Sequence, residues 1–334
     1  MNMRREVLAR LLIILLLSAA IGIPAVAWGK RSQEIVVHAR MAETGGWAPE
    51  NLTVPVGEPL HLRLTSDDVM HGFAVGQSDQ PPVDVIPGEM TDVTLVFDQP
   101  GKYTFYCTRW CSVNHWRMRG TIEVTGPTTT TETVKPPLYV TLGLDIDTQH
   151  QADVIPAQKP SALRGALLQQ SLPSVYLNRE YYLTHTPLEL WKALRGEQTL
   201  QKFSDQDIWD LAAWVWQLNT TPQALSEGQQ LFSANCTVCH SEKGSGNGVF
   251  ADQLAQPDTE NQTDMQMGEK TTRPVDFTDP VAMLSASPAH LQGKIIRGGM
   301  GTGMPYWGPI FTEEQTWALV AYLWTFQFEM EVKP

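Results

Sequence analysis

The hydrophobic period of this chain changes across one short stretch, and a single regular fold cannot absorb both halves. Before residues 126–137 apolar residues alternate along the chain; after them they recur three and four apart. Leu52-Thr53-Val54, Leu60-His61-Leu62-Arg63-Leu64, Val93-Thr94-Leu95-Val96-Phe97 and Tyr103-Thr104-Phe105-Tyr106 are β-rich runs cut by turns such as Val56-Gly57 and Gln99-Pro100-Gly101. That spacing predicts an all-β sandwich over residues 33–125. Residues 126–137 hold five threonines with Gly126 and prolines, the composition of a linker. Beyond the linker, Ser204 to Leu218 and Thr312 to Phe328 each open on a hydroxyl N-cap with acidic residues in the first turn. An all-α region is expected there. A length of 334 residues suits such a multidomain chain.

The amino terminus adds a further element. Leu11 to Gly29 are 19 uncharged residues preceded by Arg4, Arg5 and Arg10, about 28 Å long as a helix and able to span a bilayer. Residues 1–32 therefore read as a transmembrane anchor or, because Ala25-Val26-Ala27 fits a cleavage site, as a signal peptide. Both readings place the later domains on the extracytoplasmic face. The net charge of −12 is uneven, with five basic and one acidic side chain in residues 1–32 and −16 on the remainder. Such a chain lacks the basic footprint that nucleic-acid binding needs.

The α region contains a weak internal repeat. Thr186-Pro187 through Arg195-Gly196 and Phe203-Ser204 to Trp216 parallel Ser287-Pro288 through Arg297-Gly298 and Phe311-Thr312 to Trp324. Arg195 and Arg297 are 102 apart, Phe203 and Phe311 108 apart, so the first copy is six residues shorter in the stretch that holds Met304 in the second. Cysteine is absent from Ser112 to Asn235. Residues 138–220 are thus expected to be a degenerate copy of residues 221–334 or a simple helical spacer.

All four cysteines fall in two short runs. Cys107-Thr-Arg-Trp-Cys111-Ser-Val-Asn-His115-Trp-Arg-Met118 collects two thiols, an imidazole and a thioether directly after the Tyr103–Tyr106 strand. Soft ligands of this kind select copper over zinc, and two thiolates on one loop can bridge a pair of ions, with His71 as a second imidazole. A Cys107–Cys111 disulfide is the competing reading. With Thr65 to His71, Val85-Ile-Pro-Gly-Glu89, Pro100-Gly-Lys-Tyr103 and Gly120 to Val124, this loop resembles the CuA cupredoxin domain of cytochrome c oxidase subunit II across about 90 residues. The single membrane segment and the Val-Met-His-Gly-Phe around His71 are most similar to the B-type oxidases. The resemblance implies that Cys107 and Cys111 bridge, His71 and His115 are terminal ligands, and Met118 and the backbone carbonyl of Arg109 are weak axial ligands. The family commonly has Glu where Arg109 stands, which puts any interface metal held by that carboxylate in doubt.

Cys236-Thr-Val-Cys239-His240 is a C-x-x-C-H run, the attachment signature of c-type haem, with His240 as an iron ligand. Gly298-Gly-Met300-Gly-Thr-Gly-Met304-Pro305 offers the sixth ligand. Residues from Ala224 onward resemble class I cytochrome c, and that resemblance favours Met304, which precedes proline, over Met300. It implies that residues 221–334 are a cytochrome c domain and that residues 138–220, which lack cysteine, are a haem-less helical segment, a degenerate cytochrome c half or a spacer. Phe232 and Tyr322 or Trp324 are expected to join the first and last helices of this domain.

A binuclear copper centre and a six-coordinate haem are both electron carriers. The resemblance implies the electron-entry subunit of a haem–copper terminal oxidase, partnered by a polytopic catalytic subunit and fed by a soluble cytochrome or copper protein. A CuA subunit of a nitric oxide reductase and a freestanding membrane-tethered carrier are the alternatives. Residues 221–334 carry six basic and thirteen acidic side chains, whereas Arg109, Arg117 and Arg119 make the copper loop basic, so the acidic haem domain is expected to dock there.

Overall fold

The computed structural model describes Ile13 and residues 34–112, 114–127, 135–148, 150–254, 273–299 and 303–330. The expected anchor or signal peptide over residues 1–32 lies, Ile13 apart, outside the described residues. So do linker residues 128–134 and Met300. Among the described residues no helix is long and apolar enough to cross a membrane.

The first region is a sandwich of two sheets. Its strands are β1 (Ile35–Ala39), β2 (Trp47–Ala48), β3 (Asn51–Pro55), β4 (Leu60–Ser66), β5 (His71–Val75), β6 (Val83–Val85), β7 (Thr91–Leu95), β8 (Gly101–Tyr106) and β9 (Arg119–Thr125). One sheet has the order β2-β1-β4-β7 and the other β3-β9-β8-β5-β6. Period-two alternation decides which side chains face inward: Leu60, Leu62 and Leu64 of β4, Leu52 and Val54 of β3, and Ile122 and Val124 of β9 are all buried in one core with Phe73 and Phe105. Each such aliphatic side chain contributes roughly 1.5–3 kcal/mol of transfer free energy. Antiparallel pairing of β5 with β8 matches Ala74 to Tyr106, and that of β8 with β9 matches Tyr106 to Arg119. The start of β5, the end of β8 and the start of β9 therefore meet at one end of the sheet.

The second region is helical, and its main helices are α1 (Ala162–Ala166), α2 (Pro187–Gly196), α3 (Asp205–Leu218), α4 (Pro222–Asn235), α5 (Pro288–Arg297) and α6 (Glu313–Leu323). The repeat seen in sequence has matched caps. Thr186 and Ser287 cap α2 and α5, each followed by proline at the first helical position. Ser204 and Thr312 cap α3 and α6 with reciprocal bonds to Asp207 and Gln315. Both copies also contain a helix crossing closed by glycine. Gly165 of α1 packs on the Asp210 carbonyl and Trp214 of α3, and Gly228 of α4 packs on the Ala318 carbonyl and Tyr322 of α6. Asp210 and Ala318 are 108 apart, the same offset as Phe203 and Phe311.

Residues 138–220 and 221–330 share one core. Trp216 lies edge-on to Trp324 at 5.7 Å and to Phe328 at 6.1 Å, and the Ala162 amide donates to the Glu329 carbonyl at 3.0 Å. Phe232 meets Tyr322 at 5.4 Å, as expected for the terminal-helix contact, while Trp324 turns to Trp216 instead.

The two crossings make a direct test. A methyl group at Gly165 or Gly228 would run into backbone, so Gly165→Ala and Gly228→Ala should each destabilise by about 1–3 kcal/mol, even though alanine brings about 1 kcal/mol of helix propensity. Gly196→Ala, where a methyl meets nothing, is the neutral control. Unchanged melting temperatures for the first two substitutions would contradict the close crossings.

Candidate metal and haem centres

Three adjacent strands deliver the copper-type residues to one point. His71 is the first residue of β5, Cys107 follows the last residue of β8, and Met118 precedes the first residue of β9. The Cys107 amide donates to the Met118 carbonyl at 3.0 Å, closing the β8–β9 loop at its base. Inside the loop the Cys111 amide donates to the Arg109 carbonyl at 2.8 Å, and a 3-10 turn over His115–Arg117 returns the chain to Met118. Gly72 lies against this loop: its carbonyl accepts from the Thr108 amide at 3.2 Å, and the Thr108 side chain fills the space a Cβ would need.

The resulting cluster is sulfur-rich and buried. Cys107 Sγ lies 4.0 Å from Cys111 Sγ, 3.8 Å from His71 Nδ1 and 3.2 Å from the Arg109 carbonyl, while Cys111 Sγ lies 3.4 Å from Met118 Sδ. His71, Cys107 and Cys111 offer ligand atoms within 4.8 Å of one another. His115 faces the same thiol, and its Nδ1 is buried with no hydrogen-bond partner among the described residues. An orphaned buried imidazole nitrogen costs free energy unless something binds it. Metal–thiolate bonds of about 2.3 Å allow an ion between two sulfurs at this separation to touch both. Both cysteines are free thiols, so the donor set fits copper and the disulfide reading does not describe this loop.

Electrostatics prepare the cluster for a cation. The Cys111 thiol and the two imidazoles stabilise a thiolate on Cys107 and hold its pKa far below the ordinary thiol range despite burial. That negative charge and burial push Cys111 up, so without a cation the pair shares a single charge. Burial opposes a charge on His71, but the Cys107 thiol and the Asp68 carboxylate outweigh it and raise the imidazole's pKa. Asp68 sits 2.7 Å from His71 Nε2 and also accepts from the Met41 and Val69 amides, both at 2.7 Å. With the proton on Nε2, the Nδ1 lone pair faces the sulfurs. Asp68 lacked any signal in the motif, as did Trp47, whose indole donates to the Met118 carbonyl at 3.1 Å. The Arg109 side chain points away and donates to Asp84 at 2.6 and 2.9 Å; only its carbonyl turns toward Cys107.

The second motif forms its own turn. Cys236 caps a single helical turn over Thr237–His240, and the His240 amide donates to the Cys236 carbonyl at 2.9 Å. Burial pushes Cys236 up to about 12 and Cys239 up to about 11, and pushes His240 down to about 4. His240 Nδ1 donates to the Val275 carbonyl at 3.1 Å and the ring stacks on Phe277 at 4.5 Å. A neutral imidazole tied at Nδ1 presents Nε2 as a lone-pair donor, and two free thiols stand beside it, so these residues fit a covalent c-type haem. Met304 lies in the loop between α5 and α6, where its carbonyl accepts from the Gly299 amide at 3.2 Å.

The two regions are in contact. Arg119 donates to the Tyr306 carbonyl at 2.7 Å, and its guanidinium lies over the rings of Tyr306 and Trp307 at 4.6 and 5.6 Å. Gln77, held at φ 55°, receives its partner through its amide to the Ile310 carbonyl at 3.0 Å and its side chain to the Gly308 carbonyl at 2.7 Å. Of the three loop arginines, Arg119 makes this contact; Arg117 lies over Trp116 at 5.0 Å.

Asp68→Ala should weaken copper binding by about 10- to 100-fold, because His71 loses the group that fixes its tautomer and orientation. Competition against a copper chelator measures this, and an unchanged affinity would show that Asp68 does not orient the ligand.

Comparison with known proteins places both halves. Residues 38–125 match the family model described as cytochrome C oxidase subunit II, periplasmic domain, and residues 225–327 match that of cytochrome c. Two curated relatives, both cytochrome c oxidase subunit 2 from Thermus thermophilus, are 39% identical over 79 residues, 24% of this chain and 58% and 46% of theirs. The chain thus spans about half the length of the curated relatives it matches. A crystal structure of the periplasmic domain of subunit II of cytochrome oxidase from Bradyrhizobium japonicum shares 19% identity, covering 28% of this chain and 83% of that one with a TM-score of 0.25. By these matches residues 38–125 are similar to the periplasmic domain of cytochrome c oxidase subunit II, and residues 225–327 of the same chain are similar to cytochrome c.

Proposed function

We propose that this chain is the electron-entry subunit of a haem–copper terminal oxidase, with its own cytochrome c placed ahead of a binuclear CuA centre. Cys107, Cys111, His71, His115, Met118 and the Arg109 carbonyl would hold the copper pair. Cys236 and Cys239 would attach the haem, and His240 and Met304 would hold its iron. Bound there, copper and haem c would supply one-electron redox chemistry. The observation that carries the reading is the convergence of three sulfurs and two imidazoles at the end of β5, β8 and β9, on a chain whose second region holds a free C-x-x-C-H turn.

The chain's own residues supply position and access. Asp68 holds His71, and Val275 holds His240, in the tautomer that ligation needs. Arg119 and Gln77 keep the haem region against the copper loop, so transfer between them needs no diffusional encounter. Residues 1–32, as membrane anchor or signal peptide, leave residues 33–125 and 221–334 on the extracytoplasmic face, with the 126–137 linker joining residues 33–125 to residues 138–220. Residues 138–220 are a haem-less copy of the cytochrome fold that completes the core; the paired caps and paired glycine crossings support that reading. The polytopic catalytic subunit receives the electrons and reduces O2, and a soluble cytochrome or copper protein supplies them.

Purified from its native membrane, the chain should be recovered with a polytopic haem protein, and the complex should consume O2 when given a reduced donor. Consumption of NO in place of O2 would overturn the oxidase reading. Because residues 221–334 are acidic, reduction of the haem side by a cationic donor should slow as ionic strength rises; a salt-independent rate would remove electrostatic steering.

A further inference from the structure

The copper loop carries one side chain that reaches the haem-attachment turn directly. Trp110 stands between Arg109 and Cys111, and its indole N–H donates to the Ala234 carbonyl at 3.1 Å. Ala234 is two residues before Cys236. On its other side the Trp110 ring packs on the His115 ring, with centroids 4.1 Å apart. A second contact runs to Phe250, at 6.0 Å, whose amide donates to the carbonyl of Val238 between the two haem-attachment cysteines at 2.9 Å. Trp110 therefore meets a copper-loop imidazole on one side and, on the other, Ala234 just before the Cys236–Cys239 turn and Phe250, which is hydrogen-bonded to that turn.

We infer that Trp110 is the electronic bridge between the two centres, a conclusion that rests on the proposed occupancy of both. Electron tunnelling weakens exponentially with distance, and far more steeply across empty space than along covalent bonds and hydrogen bonds. The run from Cys236 along the backbone to Ala234, through the indole hydrogen bond to Trp110, and by ring contact to His115 contains one hydrogen bond and one van der Waals step. No other residue of the copper loop offers a side-chain hydrogen bond to residues 231–240 among the described residues. The step is a one-electron transfer: the iron side loses one electron, the copper side gains it, and no bond or proton moves. Trp110 itself ends each passage in its starting state.

The interface contacts of Gln77 and Arg119 separate this role from simple docking, because they hold the regions together away from the route. The full chain, loaded with copper and haem, would be reduced with one electron by a flash-generated reductant, and re-equilibration between the two chromophores followed optically. Trp110→Leu should slow internal transfer several-fold, and Trp110→Phe, which keeps the ring but loses the N–H, should fall between it and the parent. Gln77→Ala, which loses one interdomain hydrogen bond off the route but keeps the Gln77 amide and Arg119 contacts, should slow transfer less than Trp110→Leu does. The copper EPR spectrum and both reduction potentials should be unchanged in all three. A readout independent of transfer is the Trp110 indole N–H resonance in the fully reduced chain, assigned by its loss in Trp110→Phe; it should be protected from solvent exchange. Equal rates in Trp110→Leu and the parent, equal slowing by Gln77→Ala, or an unprotected indole would overturn the inference while leaving the proposed function intact. Absence of copper or haem from the parent would instead defeat the proposed function.

Discussion

The backbone hydrogen bond from Cys107 to the Met118 carbonyl sets the geometry on which the copper cluster depends. It makes a twelve-residue segment into a closed β8–β9 loop, so the sheet, whose strands are spaced by their own ladder, decides where that loop begins and ends. His71 arrives from the neighbouring strand β5, whose register to β8 is fixed by the buried Phe73 and Phe105 faces. A one-residue slip in that pairing would turn His71 to the opposite face and empty the cluster of its first imidazole. Ligand placement is therefore a property of the sandwich core, and loops are free to supply the chemistry on top of it.

The helical region solves a different problem. Residues 221–330 bury part of their apolar surface against residues 138–220, in one shared core. Trp209, Trp216 and Trp324 are fully buried in the shared core, and the indole nitrogens of all three lack hydrogen-bond partners among the described residues. Burying an unpaired indole N–H costs about 1–3 kcal/mol, which the large apolar area of each tryptophan outweighs. Asp210 is the buried charge of this core, and it is fully engaged: Arg164 donates to it at 2.7 and 3.0 Å and the Ser161 amide at 2.7 Å.

Much of this was legible in the sequence. The alternating runs at Leu52–Val54, Leu60–Leu64 and Tyr103–Tyr106 became β3, β4 and β8; one face of β3 and of β4 is buried, which alternation records directly, and β8 buries Phe105. β2 and β6 are two and three residues long, too short to show a period, and they were not visible. The sulfur and imidazole ligands stood out because few other roles require those residue types at that spacing. Asp68, Trp47 and Trp110 act through partners brought near by the fold, and nothing local distinguishes them from ordinary surface or core residues. Charge alone suggested Arg109, Arg117 and Arg119 at the interface; of these Arg119, the first residue of β9, lies there over Tyr306 and Trp307, while Arg117 ends the 3-10 turn before it and lies over Trp116.

The central claim is that Cys107 and Cys111 hold a pair of copper ions beside a covalently attached haem. EPR spectroscopy with metal analysis of the full chain tests it most directly. The account predicts two coppers and one iron per chain, with a single unpaired electron delocalised over both coppers and a separate low-spin haem signal. One copper with a localised signal, or a chain that binds haem and no copper, would contradict it.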